Sequence, residues 1–82
     1  MCPTIFREGP YRFFFFSREE ARMHVHITKV NGNAKFWLEP IVGLADYNGL
    51  KAHELKELEK LVREHYDEIK TAWQKFFKTS PR

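Results

Sequence analysis

The segment His24-Val25-His26 holds the residues best suited to chemistry in this chain. On an extended strand, side chains two apart leave the same face. Two imidazoles so placed can divide the work of general acid and general base, because histidine titrates near neutrality. The substrate that such a pair suits is a phosphodiester. His24 and His26 would exchange protons with the attacking and leaving oxygens, with Glu39 nearby. Lys35 or Arg22 would stabilise the charge of a phosphorane-like transition state. The same pair, with Glu39 or a third histidine, has the makings of a metal site. The plainest reading is two strand histidines, solvated or stacked on Trp37 across a strand pair. Spacing alone favours that reading, and no metal or cofactor is expected.

The elements that would position these residues follow from periodicity. Before Asn48-Gly49 the apolar pattern repeats mostly every two residues; after it the repeat is helical. Thr4–Arg7 reads as a strand, Glu8-Gly9-Pro10 as a turn, and Tyr11–Phe16 as a second strand. Ser17–Arg22 is charged and irregular, a loop. Met23–Val30 and Ala34–Leu38 read as a hairpin around Asn31-Gly32. With those two as the loop, Val30 faces Asn33, Thr28 faces Lys35, His26 faces Trp37 and His24 faces Glu39. Val25, Ile27, Ala34, Phe36 and Leu38 then share an apolar face. The histidines share the other face with Trp37, Lys35 and Glu39. A one-residue slip would bury the polar set, so the choice of face is well specified.

Glu39–Tyr47 reads as a short helix, with Pro40 in its first turn and Asn48-Gly49 as its stop. Gly43 inside it costs about 1 kcal/mol relative to alanine. Residues 52–78 read as one long helix. Leu55, Leu58, Val62, Ile69, Ala72 and Phe76 follow three-four spacing, widened by Leu61, Trp73 and Phe77. Glu59 and Arg63 form a supporting pair one turn apart. His65 interrupts the apolar stripe and is expected as a satisfied core or boundary residue. The expected fold class is α+β: a single domain over residues 1–82, with strands in 3–38, a short helix in 39–48 and a long helix in 52–78. The sheet would be four-stranded and mostly antiparallel, with the long helix packed on its apolar face.

Phe13–Phe16 is a run of four aromatics. Alternation sends Phe13 and Phe15 to one face and Phe14 and Phe16 to the other. An exposed Phe14/Phe16 pair would be an interface for a protein partner or a second copy; a strand covered on both faces is the equal alternative. Arg12, Tyr11 and Trp37 make a lesser case for an aromatic and basic platform on which bases stack. Cys2 has no neighbour that marks it as a nucleophile.

Length and composition exclude several classes. Eighty-two residues make one small domain, with no room for a large cofactor fold. Hydrophobic residues are 43% and charged residues 30%, which fits a globular chain. No apolar run approaches the roughly 18 residues of a membrane span, and no signal peptide is expected at the start. A single cysteine rules out a disulfide framework and fits a reducing cytoplasm. The net charge is +3, yet the charges are dispersed. Residues 1–50 hold six bases and five acids, and residues 52–78 hold six of each. No window has the clustered lysine and arginine of a strong nucleic-acid binder.

Several segments together resemble a known family. They are Pro3-Thr4-Ile5-Phe6-Arg7, Tyr11-Arg12-Phe13-Phe14-Phe15-Phe16-Ser17, His24-Val25-His26, Ala34-Lys35-Phe36-Trp37-Leu38-Glu39-Pro40, Glu54-Leu55 and Ala72-Trp73. Over about residues 3–77 the chain resembles the small bacterial domain of unknown function 4160 family. The resemblance implies one half of a two-gene pair with another small domain, of the kind described as toxin–antitoxin-like. Two features depart from the family pattern. Arg22 and Met23 stand where prolines are usual, and Lys51 stands where a serine would complete a capping box with Glu54.

Two functions from different classes follow. One is an effector acting on RNA through the His24/His26 face, with Lys35 and Glu39 as further catalytic residues. The other is a non-catalytic interaction module. It would bind a small partner encoded nearby, or itself as a homodimer, through the Phe14/Phe16 face; Arg12, Arg22 and Trp37 are further candidate binding residues. Arg22 and Lys35 bring two positive charges to the histidines, while Glu39 and Glu20 remove two. That near-cancellation leaves enzyme and module level.

Overall fold

The computed structural model describes residues 4–16 and 22–77. Five strands form one antiparallel meander in chain order: β1 (Thr4–Glu8), β2 (Tyr11–Phe14), β3 (His24–Lys29), β4 (Gly32–Trp37) and β5 (Gly43–Asn48). Two helices follow, α1 (Ala52–Glu64) and α2 (Tyr66–Phe77). The α+β class holds, but the sheet has five strands rather than four. Residues 17–21 of the expected loop, Cys2, and the last residue of the expected helix lie outside the described residues.

The fifth strand replaces the short helix expected over 39–47. Asn33–Trp37 of β4 would otherwise present an open row of backbone donors and acceptors; β5 pairs with them from Asn33↔Asn48 to Trp37↔Gly43. Tyr47 also suits extended backbone better than helix, and Gly43 disfavours a helix interior. Ala45 is an extra residue in the ladder, since Lys35 faces Asp46 while Phe36 faces Leu44.

The β3–β4 hairpin turns one residue earlier than expected. Lys29 faces Gly32, so Val30 and Asn31 are the loop, and Asn31 takes the left-handed conformation at φ 67°. Gly32 serves close approach instead. A Cβ there would lie 2.7 Å from Leu50 Cδ2 and 3.0 Å from the Gly49 carbonyl oxygen. Gly49, at φ 72°, has the matching constraint: its Cβ would meet the Asn31 carbonyl oxygen at 2.1 Å. The hairpin tip and the turn into α1 therefore interlock. The cross-strand pairs shift by two residues, which leaves every side chain on its expected face.

The apolar face expected from alternation is the buried one. Phe13, Phe15, Val25, Ile27, Ala34, Phe36 and Leu38 pack against Leu58, Val62, Ile69 and Trp73. The long helix expected over 52–78 is broken at His65, whose backbone leaves the helical region at φ −102°, ψ 18°. The next turn still engages it, since Ile69 N–H donates to the His65 carbonyl at 2.9 Å. The break falls where the apolar stripe is interrupted. The His65 ring packs on Phe6, 4.3 Å between centroids, and its Nδ1 meets Glu68 at 2.9 Å. It is a half-buried boundary histidine, as expected.

Glu54 holds the start of α1. Lys51 N–H donates to its Oε1 at 2.8 Å, half of a capping box whose other half lysine has no acceptor to supply. The other oxygen of Glu54 accepts from Lys29 Nζ at the end of β3. That bond, then the Lys51 N–H, pulls the Glu54 pKa down, and the same bond raises Lys29. Tyr11 beside them is pushed up by burial, then by the charges of Glu57 and Glu54. No helix among the described residues is long and apolar enough to cross a membrane.

Candidate functional site: the uncovered sheet face

Strand alternation that sends Phe13, Ile27 and Ala34 into the core sends Phe14, His26 and Lys35 out of it. These three lie in a row across β2, β3 and β4: Phe14 faces His26, His26 faces Lys35, and Lys35 in turn faces Asp46 of β5. The row floors an open groove of about 400 Å³, lined also by Phe16, Thr28 and Asn33. Phe16 stands edge-on to His26 at 4.4 Å, and Phe14 lies near-parallel to His26 at 5.6 Å. Phe16 is 38% exposed, whereas Phe14 is 8% exposed beneath Phe16 and the Arg12 guanidinium, 4.6 Å from its ring. The expected apolar pair is thus a single exposed phenylalanine.

Next to the groove, Trp37 has two cations against its ring. Arg22 Cζ lies 4.0 Å and Lys35 Nζ 4.5 Å from the centroid. Such contacts stabilise by about 0.5–1 kcal/mol at exposed sites and hold the side chains in place. Arg22 is further fixed by donating from Nε to the Glu39 carbonyl at 2.8 Å. Arg12 donates from Nε to Thr4 Oγ1 at 2.6 Å. Flat rings and positive charges therefore alternate across one face.

His24 does not share the openness of His26. It is fully buried, although it lies on the same strand face. Trp73 of α2 reaches round to meet it at 5.2 Å, with Trp37 at 5.7 Å and His26 at 5.0 Å, all edge-on. His24 Nδ1 lies 2.6 Å from the Arg22 carbonyl oxygen. A carbonyl only accepts, so Nδ1 carries the proton, and in the neutral ring the lone pair is on Nε2. The expectation of two imidazoles side by side at the surface is corrected to one half-buried and one enclosed. Helical spacing places Trp73 on the apolar face alone; packing also brings it against His24.

Glu39 is also placed differently. Its Oε2 accepts from Met23 N–H at 3.2 Å, so it ties β3 to the end of β4. It does not face His24 across the ladder; Trp37 does. Tyr11 is buried in the core and takes no part in the platform. Among the described residues no group of three His, Cys, Asp or Glu side chains can hold a metal ion.

Asp46 is the groove residue that sequence reasoning missed, because Glu39–Tyr47 was read as a helix. The available signal was the Asn48-Gly49 turn after a stretch containing β-prone Tyr47. Beyond the groove, the exposed large apolar side chains among the described residues are Val30, Ile41, Leu44 and Tyr47. Leu44 and Tyr47 face Phe36 and Ala34, so they extend the helix-side face onto the edge strand.

The family model described as a domain of unknown function, DUF4160, matches residues 11–74. The match takes in β2 to β5, all of α1 and most of α2, and so every residue of the groove. No curated protein and no solved structure matches the chain.

Proposed function

The chain belongs to the DUF4160 family, and from that premise we propose that its uncovered sheet face binds single-stranded RNA. The observation that carries this reading is the interleaving of rings and cations: Trp37 against Arg22 and Lys35, and Phe16 and His26 beside Lys35. Base stacking on aromatic side chains contributes about 1–3 kcal/mol per base, and adjacent cations meet the phosphates. Glu39 accepts from the Met23 backbone N–H and keeps its charge, but Arg12, Arg22 and Lys35 outnumber it on this face. Binding is favoured over cleavage because His24 is enclosed. His26 is then the imidazole that meets RNA, with His24 as its neighbour. Such binding fits the effector half of a toxin–antitoxin-like pair in a reducing cytoplasm.

The test is to follow histidine and tryptophan ring signals while a short mixed RNA is added at low salt. His26 and Trp37 should shift, and Arg22→Ala or Lys35→Ala should weaken binding and lower the salt slope by about one each. Silence of both rings at millimolar RNA would sink the reading. The interaction-module alternative draws its support from a different place. With Phe14 covered, the apolar surface suited to a partner or a second copy is Leu44 and Tyr47 on β5, 41% and 50% exposed.

A further inference from the structure

The groove has a feature that binding of phosphate and stacked rings does not use: an acid at its far wall. We infer that the groove selects guanine, with Asp46 reading the base. The inference rests on the RNA reading above and deepens it.

Asp46 lines the groove from β5, two strands away from His26. Two strand spacings are roughly 10 Å, a span that a purine and a hydrogen bond fill. The carboxylate is anchored, since Oδ1 accepts from Tyr47 N–H at 2.9 Å. An ionised carboxylate only accepts hydrogen bonds. Guanine is the base that presents two adjacent donors on its Watson–Crick edge, N1–H and the N2 amino group. Together they match the two oxygens of a carboxylate in a charge-assisted bidentate pair. Adenine and cytosine set an acceptor beside their amino donor. Uracil has one donor between two carbonyls. Each of these turns an acceptor toward Asp46, which is repulsive.

The rest of the groove completes the fit. Phe16 and His26 offer ring surface at one end, and Lys35 lies between His26 and Asp46 on the floor. A volume of about 400 Å³ falls in the range of small-molecule sites, roughly 300–1,000 Å³. An acid would be misplaced in a site for phosphate alone, but here it meets the base while Lys35, Arg22 and Arg12 meet the backbone.

The experiment measures affinity of the full chain for labelled hexaribonucleotides by fluorescence anisotropy at low salt. The probes are oligouridine with a single central guanosine, inosine or adenosine, and oligouridine itself. A bidentate pair separates right from wrong base by about 1–3 kcal/mol, so the guanosine probe should bind about tenfold tighter than the adenosine probe or oligouridine. Inosine, which lacks the N2 amino group, should fall between. Asp46→Asn should abolish the guanosine preference while binding oligouridine at least as tightly as the unmodified chain. A circular dichroism melt of Asp46→Asn checks that it folds. Equal binding of all four probes, weakened by Lys35→Ala, would overturn the guanine inference and leave the RNA reading standing. No binding of any probe would overturn both, and a protein partner at the β5 edge would become the reading to test. A guanosine preference that survives Asp46→Asn would overturn the assigned role of Asp46.

Discussion

The two faces of this sheet are made from alternate residues of the same strands, and they differ in almost every physical respect. Val25, Ile27, Ala34, Phe36 and Leu38 are sealed beneath two helices. One residue away along the chain, His26, Lys35 and Trp37 line or flank an open groove. The covered face obtains its stability from area removed from water, which is non-directional. The uncovered face is ordered by directed contacts: guanidinium on ring, ammonium on ring, ring edge on ring. Those contacts add little to folding, but they fix cations and aromatics in place on an open surface. His24 lies at the seam between the two. It has the strand parity of the open face and the burial of the closed one, because Trp73 crosses over to it.

Substitutions that cut into each face, read by both stability and binding, should separate the two most strongly. Phe36→Ala should cost about 3–5 kcal/mol in denaturant unfolding, the range for truncating a buried aromatic. Trp37→Ala should weaken RNA binding by about 1–3 kcal/mol and shift the unfolding midpoint far less. If Trp37→Ala unfolds the chain as readily as Phe36→Ala, the two faces are not distinct in kind. A third cut tests the ion pair at the hairpin tip. Glu54 is lowered from its ordinary 4.5, so its contribution is present above that value and is lost as pH falls through the lowered one. Lys29 is raised from 10.5, so its contribution is present below that value and is lost as pH rises through the raised one. Melting temperature should therefore hold between these limits and drop in strong acid. Glu54→Gln should flatten the acid limb and leave RNA binding unchanged. The smallest effect belongs to Lys51→Ser. A hydroxyl there gives the second half of the capping box and should raise stability by about 0.5–1 kcal/mol, with no change at the groove.

The assignment of residues to faces was legible in the linear chain. Side chains alternate with period two, so Val25, Ile27, Phe36 and Leu38 could share only one face. Even the misplaced hairpin turn left this intact, since a shift of two residues conserves parity. The apolar stripe from Leu58 to Trp73 was legible for the same kind of reason, a local repeat of 3.6. Part of the grouping at the site was legible too: His26, Lys35, Trp37 and Arg22 do stand together, whereas Phe16 joins His26 only through the pairing of β2 with β3.

What depended on contacts between distant parts of the chain was not legible. Gly43–Asn48 is a strand because the open edge of β4, Asn33–Trp37, needs a partner, a demand made by another element of the chain. Asp46 enters the groove only through that pairing. Gly32 is required by Leu50 and Gly49, not by its own turn. His24 is enclosed by a tryptophan 49 positions along the chain, and Phe14 is capped by Arg12 and Phe16. Local periodicity is a property of neighbours in sequence and decides which way a side chain points. Whether that side chain then meets solvent, a ligand or another ring is set by packing of elements that no short window of sequence contains.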